Sequence, residues 1–185
     1  MRFFIALEIP DNSKAELESV QRKLKELIPP FKPSEVDKLH LTIAFVGEED
    51  ARFKGPLTEI LHESVKDVSP FTVTPGYIDG FPHLHNAHVL WIGVKGDIDK
   101  LFLIRHRIKD GLESLKLNVD ERRFVPHIAL GKVANFALDA YQEAQLEKLE
   151  LHTFNSIRVD SLKLFESIPN RSFHTHNTLA EIKLI

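Results

Sequence analysis

Two stretches of this chain share one layout. HLTIAFVG begins at His40 and HIALGKV begins at His127; each runs from a histidine through an apolar and a small or hydroxylic residue to a glycine. Both read as strands. Strict period-two alternation puts His40, Thr42 and Ala44 on one face of the first, with Leu41, Ile43 and Phe45 on the other. The histidines stand 87 residues apart in a chain of 185, and similar elements surround each of them. RFFIALEI is an apolar strand stopped by Pro10. Asp11 and Ser13 offer caps for a helix with Leu17, Val20, Leu24, Leu27 and Ile28 at helical spacing, closed by Pro29-Pro30. After the first histidine strand, Leu57, Leu61, Val65 and Val68 mark a second helix, and FTVTPGYI a further strand.

The order then recurs. HVLWIGV predicts a strand, and Ile98, Leu101, Ile104, Ile108, Leu112 and Leu115 the cleanest helical stripe in the chain. VPHIALGKV, a helix in LDAYQEAQLEKL and a strand in TFNSIRVDSLKLFES follow. HNTLAEIKLI adds a closing strand, joined to its predecessor by IPNRSFHT. The expectation is one α+β domain over 1–185 with two similar lobes. Each lobe is an antiparallel sheet flanked by helices, and a pseudo-twofold relates them about a central cleft. The repeated halves are 1–80 and 86–168, with a closing strand at 176–185.

Composition narrows the function. A hydrophobic share of 43% suits a single core, and a formal net charge of −3 excludes a protein that coats nucleic acid nonspecifically. A small basic pocket for one phosphate or one RNA end stays open. With no cysteine, disulfides and thiolate metal sites are excluded. The apolar run at the start is too short to span a membrane and lacks a cleavage site, so a cytoplasmic chain is expected. It is also expected to be a monomer with no obligate protein partner.

Paired histidines suggest acid–base chemistry. An imidazole titrates near working pH, so two in one cleft can hold opposite protonation states, one taking a proton and the other giving one. A hydroxyl two residues on points the same way and can donate to a nonbridging phosphate oxygen. His-x-Thr alone is a weak signal. Its weight here comes from the same strand context occurring twice at matching places.

RFFIALEIP, LHLTIAFVGE, FPHLHNAHVLWIGV and FVPHIALGKV, in this order, resemble the two-histidine phosphoesterase superfamily over nearly the whole chain. The nearest branch is the RNA 2′,3′-cyclic phosphodiesterases, also called 2′-5′ RNA ligases. The resemblance implies a bilobal fold and hydrolysis of RNA or nucleotide 2′,3′-cyclic phosphate ends to 2′-phosphates without metal or other cofactor. Weak reversible 2′-5′ ligation is the same chemistry reversed. The family's twofold His-x-(Thr/Ser)-x maps onto His40 with Thr42 and onto His127 with Ala129. By similarity His40 is the proton donor, His127 the proton acceptor and Thr42 a phosphate ligand; the reverse acid–base assignment stays open. Ala129, at the family's hydroxyl position, cannot donate. Lys132 occupies the place of a basic residue that follows the second motif. Strict alternation turns Lys132 away from His127 unless Gly131 permits a bulge; the competing reading is a surface lysine. The alternative function is an RNA-end or nucleotide-binding protein with reduced or no turnover, which Ala129 favours.

Other residues carry two readings each. Phe81 either stacks on a base or packs beneath its loop. Trp91 reads as core. Arg122 and Arg123 either steer RNA or are surface charge. His83, His85 and His88 have the proximity of metal ligands but read as a surface loop, as do His174 and His176.

Overall fold

The computed structural model describes residues 1–171 and 174–185; residues 172 and 173, within the IPNRSFHT segment, lie outside it. Among the described residues, nine strands and four α-helices follow in chain order, besides three short 3-10 turns. They are β1 (Arg2–Glu8), α1 (Asp11–Leu27), β2 (Lys32–Pro33), β3 (His40–Glu48), α2 (Lys54–Val65), β4 (Phe71–Phe81), β5 (Val89–Gly96), α3 (Ile98–Ser114), β6 (His127–Lys132), α4 (Ala140–Glu150), β7 (Ile157–Val159), β8 (Ser161–Pro169) and β9 (His174–Lys183).

The repeat is close to exact in length. A shift of 87 residues carries α1 onto α3 residue for residue, lays β1 along β5, and starts β6 where β3 starts. The same shift brings α2 to within two residues of α4. Two capping expectations resolve differently. Neither Asp11 nor Ser13 caps α1: Pro10 holds the N-cap position with no side-chain bond, and Ser13 is buried. Pro10 already has an extended backbone there, and Asp11 in the first turn answers the helix dipole instead. At α4 the Asp139 carboxylate accepts from the Gln142 backbone N–H at 2.7 Å, and the Gln142 side-chain Oε1 accepts from the Asp139 backbone N–H at 3.0 Å. That capping box fixes the start of a helix whose apolar stripe is weak.

The strands form one antiparallel path, β7-β4-β5-β6-β3-β1-β8-β9, with β2 beside β6. Its middle is narrow. The β5–β6 group meets the β3–β1 group through the pair Leu41 opposite Ile128, both fully buried. This divides the sheet into two four-stranded lobes. The lobes are not the sequence halves, because strands are exchanged between them: β4 pairs with β5 and β2 with β6, while β8 pairs with β1. Only Asp160 separates β7 from β8, yet these strands stand first and seventh in the path. A link that short requires the sheet to curl until its distant parts approach.

The helices cover one face. Phe3, Ile5 and Leu7 of β1 enter the main core with Leu17 and Leu24 of α1 and with Leu101, Ile104 and Ile108 of α3. Each such side chain contributes about 1.5–3 kcal/mol on burial. The alternate residues Phe4 and Ala6 turn to the other face, where with Phe165 they form a separate small apolar cluster. That uncovered face carries both histidines. No described helix is long and apolar enough to cross a membrane.

Candidate active site

His40 and His127 open the two strands that join the lobes. Extending the antiparallel register from the Leu41–Ile128 pair sets Thr42 level with His127, and Ala129 level with His40. Each histidine is held alike. Nδ1 of His40 lies 2.7 Å from the Lys38 carbonyl, and Nδ1 of His127 lies 2.6 Å from the Val125 carbonyl. A carbonyl only accepts, so each Nδ1 carries the proton and each neutral ring keeps an unprotonated Nε2.

Aromatic packing fixes the rings further. The His40 ring lies 5.1 Å from Phe4, and Phe4 stacks on Phe165 at 5.0 Å. The His127 ring lies 5.2 Å from Trp91 and 5.0 Å from Phe81. Phe4 and Trp91 correspond under the 87-residue shift. Burial pushes both imidazoles below their ordinary pKa of 6.5, and the bonds to Lys38 and Val125 partly oppose it. The nearby His127 lowers His40 a little further. Both rings are therefore neutral at neutral pH, and a bound anion would raise them.

Bulges correct the face assignments made by strict alternation. Ala6 pairs with Thr42 while the adjacent Ile5 pairs with Ala44, so Ile43 is an extra residue in β3. Ala44 is thereby turned into the core. Phe45 comes to the open face opposite Phe4 and is 57% exposed. In β6, Leu90 pairs with Gly131 and Trp91 with Ala129, leaving Leu130 extra. Lys132 then faces the same side as Val89 and Trp91. A Cβ on Gly131 would collide with the Lys32 carbonyl and the Phe31 ring, so glycine lets β2 approach β6 here. The Leu130 carbonyl accepts from the Ser34 N–H at 2.9 Å and from the buried Gln21 amide at 2.8 Å. The same amide donates to the Ser34 carbonyl at 2.9 Å. Ile43 and Leu130 correspond under the 87-residue shift, as do Phe45 and Lys132.

A cleft of about 610 Å³ is lined by Thr42, His127, Phe45, Phe81 and the segment Arg122–Val125. Phe81 is 38% exposed, and its ring lies against Trp91 at 5.0 Å. It therefore presents a face to the cleft while packing over its neighbour. Trp91 is buried as expected, although its ring also backs His127. Arg122 is held by the Asp120 carboxylate at 2.7 Å, and Arg105 donates to the Asp120 carbonyl at 2.9 Å. Arg123 is exposed beside the cleft without a hydrogen bond or ion pair among the described residues.

A smaller recess of about 230 Å³ adjoins His40 and Ala129, with Ser34, Lys38, His174 and His176 in its wall. His174, expected in the connecting loop, and His176, read both as a loop histidine and as the first residue of the closing strand, lie on β9; the hairpin with β8 begins at His174 opposite Pro169. The His176 ring meets His40 edge-on at 5.3 Å and Phe4 at 4.9 Å. Its alternation with His174 and Thr178 was the available signal. Burial, helped by His40, Lys38 and His174, lowers His176 to about 4. Of the histidines near the β4–β5 turn, His88 lines the larger cleft and His85 faces Glu143 at 3.8 Å. Among the described residues no three His, Asp or Glu side chains converge as a metal site would require.

This geometry has relatives. The family model of the 2′-5′ RNA ligase superfamily matches residues 10–170. An RNA 2′,3′-cyclic phosphodiesterase of Methanocaldococcus jannaschii is 30% identical over 167 residues, 90% of this chain and 91% of the relative. One of Thermotoga maritima is 26% identical over 168 residues, covering 90% and 87%. Among solved structures, TT0787 of Thermus thermophilus superposes with a TM-score of 0.82 at 19% identity over 100% of this chain and 98% of that one. Escherichia coli LigT complexed with 3′-AMP gives 0.76 at 22% identity over 99% and 97%. Two histidine strands on a curled antiparallel sheet, the matched length and the archaeal relative lead to one assignment: the chain belongs to the 2′-5′ RNA ligase superfamily.

Proposed function

We propose that this chain is a single bilobal domain, with halves 1–80 and 86–168 and a closing strand from 176, that hydrolyses the 2′,3′-cyclic phosphate ends of RNA or nucleotides to 2′-phosphates. One observation carries the reading: two histidines on adjoining strands of the open face, each with Nδ1 pinned by a carbonyl two residues upstream. His127 takes a proton from water through Nε2 as the water oxygen bonds to phosphorus. The bond from phosphorus to the 3′ oxygen breaks, and protonated His40 gives its proton to that oxygen. Water thus supplies the hydroxyl on the new 2′-phosphate, and solvent resets both rings. Each Nδ1–H bond stabilises the imidazolium form at its stage. General acid–base catalysis of this kind contributes about 10²–10⁴-fold.

Thr42, level with His127, donates to a nonbridging oxygen, and Lys132, turned to the open face by its bulge, supplies positive charge. Phe81 stacks on the terminal base. No step uses a metal. The protein acts as a monomer in the cytoplasm, and weak 2′-5′ ligation is the reverse reaction. Names of the relatives support the substrate class, and the sequence coverage supports the whole domain.

The test is incubation with a cyclic-phosphate-ended oligonucleotide plus chelator. The expected product is a 2′-phosphate end at an unchanged rate. A 3′-phosphate product, or loss of product with chelator, overturns the mechanism. Ala129 favours a second reading, a binder of RNA ends with little turnover; tight binding without product would establish it.

A further inference from the structure

The superfamily pattern places a hydroxyl where this chain has Ala129, and the structure brings another donor to the same recess. We infer that His176 supplies the phosphate contact that Ala129 cannot make, donating an imidazole N–H to a nonbridging oxygen beside His40. The inference rests on the function proposed above and names a further binding residue for it.

Ala129, His40 and His176 border one recess of about 230 Å³, so an anion against His40 there touches the walls that Ala129 and His176 form. Of the other donors in that wall, Lys38 and His174 have partners, and the Ser34 hydroxyl is the rival contact that the test must separate. Lys38 Nζ binds the Glu35 carboxylate at 2.8 Å, and His174 Nδ1 lies 3.1 Å from the Ser167 hydroxyl. Lys132 shares the open face but is not in this wall. The His176 imidazole makes no hydrogen bond with any described residue, although the residue is partly buried. It is held only by rings, edge-on to His40 at 5.3 Å and against Phe4 at 4.9 Å. A polar ring fixed by apolar contacts and left unpaired beside a reacting group has the character of a ligand contact. The other lobe shows the contrast: beside His127 the corresponding cover is Phe81, which has no N–H, and there Thr42 supplies the donor.

The test is an epistasis experiment. His176→Phe keeps the ring contacts and removes the N–H; Ala129→Thr restores the family hydroxyl. Kinetics are read on a cyclic-phosphate-ended oligonucleotide, and equilibrium binding on the same oligonucleotide bearing a 2′-phosphate. His176→Phe is expected to lower kcat/KM and weaken product binding by about ten- to a hundredfold, the worth of one hydrogen bond to a charged group. Ala129→Thr should recover most of that loss in the His176→Phe background and gain much less in the wild-type background. A purely structural role for His176 would not be rescued this way. Equal gains from Ala129→Thr in both backgrounds, or a silent His176→Phe, overturn the inference. So does the same epistasis appearing with Ser34→Ala in place of His176→Phe. Epistasis in product binding without any hydrolysis would overturn the proposed function and leave this contact standing. Hydrolysis without epistasis would overturn the contact alone.

Discussion

Ile43 and Leu130 are both extra residues in their strands, and each bulge turns the residue two places on toward the open face. In one half that residue is Phe45; in the other it is Lys132. Position by position, the motifs pair Phe4 with Trp91, His40 with His127, Thr42 with Ala129 and Phe45 with Lys132. The parts that aim a histidine are the same in both: strand start, upstream carbonyl, aromatic backing and bulge. The parts facing a ligand differ. Proton transfer to one atom and from another needs two rings at fixed places, so neither can drift. Holding an anion needs only enough donors and positive charge around it, so one motif can bring a hydroxyl and the other a lysine.

The harshest test of that comparison is His40→Ala beside His127→Ala. Each should cost about 10²–10⁴ in kcat on a cyclic-phosphate oligonucleotide, while folding is checked by circular dichroism. A near-normal rate from either variant ends the claim of equivalent aim. Next comes Thr42→Val, which keeps the shape and removes the donor. A loss of about ten- to a hundredfold in kcat/KM is expected, against a loss of similar or smaller size for Lys132→Gln. If Thr42→Val is silent, the two ligand-facing sets do not share the phosphate.

Smaller in effect, Gln21→Leu probes a difference in support. Gln21 holds the Leu130 bulge by its carbonyl, whereas the corresponding residue under the 87-residue shift is the apolar Ile108. Urea unfolding should show a loss of about 1–3 kcal/mol, with activity falling through disorder of the second motif only. The gentlest test is the pH profile of kcat/KM. The base must be neutral, so activity is lost as pH falls through its pKa; the acid must be protonated, so activity is lost as pH rises through its own. Burial lowers both from 6.5, which puts the optimum on the acid side of that value. An optimum above pH 8 would break the assignment of base and acid to these two buried rings.

Much of this was legible in the chain. The 87-residue spacing, the apolar stripes and the paired histidines lead to the two strands at the centre and to the element order, except that β2 is missed and TFNSIRVDSLKLFES, read as one strand, breaks at Asp160 into β7 and β8. What alternation missed was pairing. Ile43 looks like any strand residue; only the register against Ile5 and Ala6 makes it extra and sends Phe45 outward instead of Ala44. The place of His176 beside His40 is not legible in the sequence for a related reason. Its importance lies in reaching over Phe4 to His40 from a strand 136 residues later, and no local pattern encodes that distance. The turn of Lys132 toward the face of His127 is legible only as a condition on Gly131, and the bulge that makes it falls at Leu130.

The exchange of β4 and β8 has its own consequence. Neither lobe is built from one continuous stretch, so cutting the backbone between β4 and β5 would not release two small domains. It would leave two fragments, the first without the β8 and β9 that extend β1 and the second without the β4 and β2 that flank β5 and β6, each exposing a sheet edge that fits its counterpart. Such pieces are expected to find each other and reassemble, and a single cooperative transition is the expected melting behaviour of the intact chain.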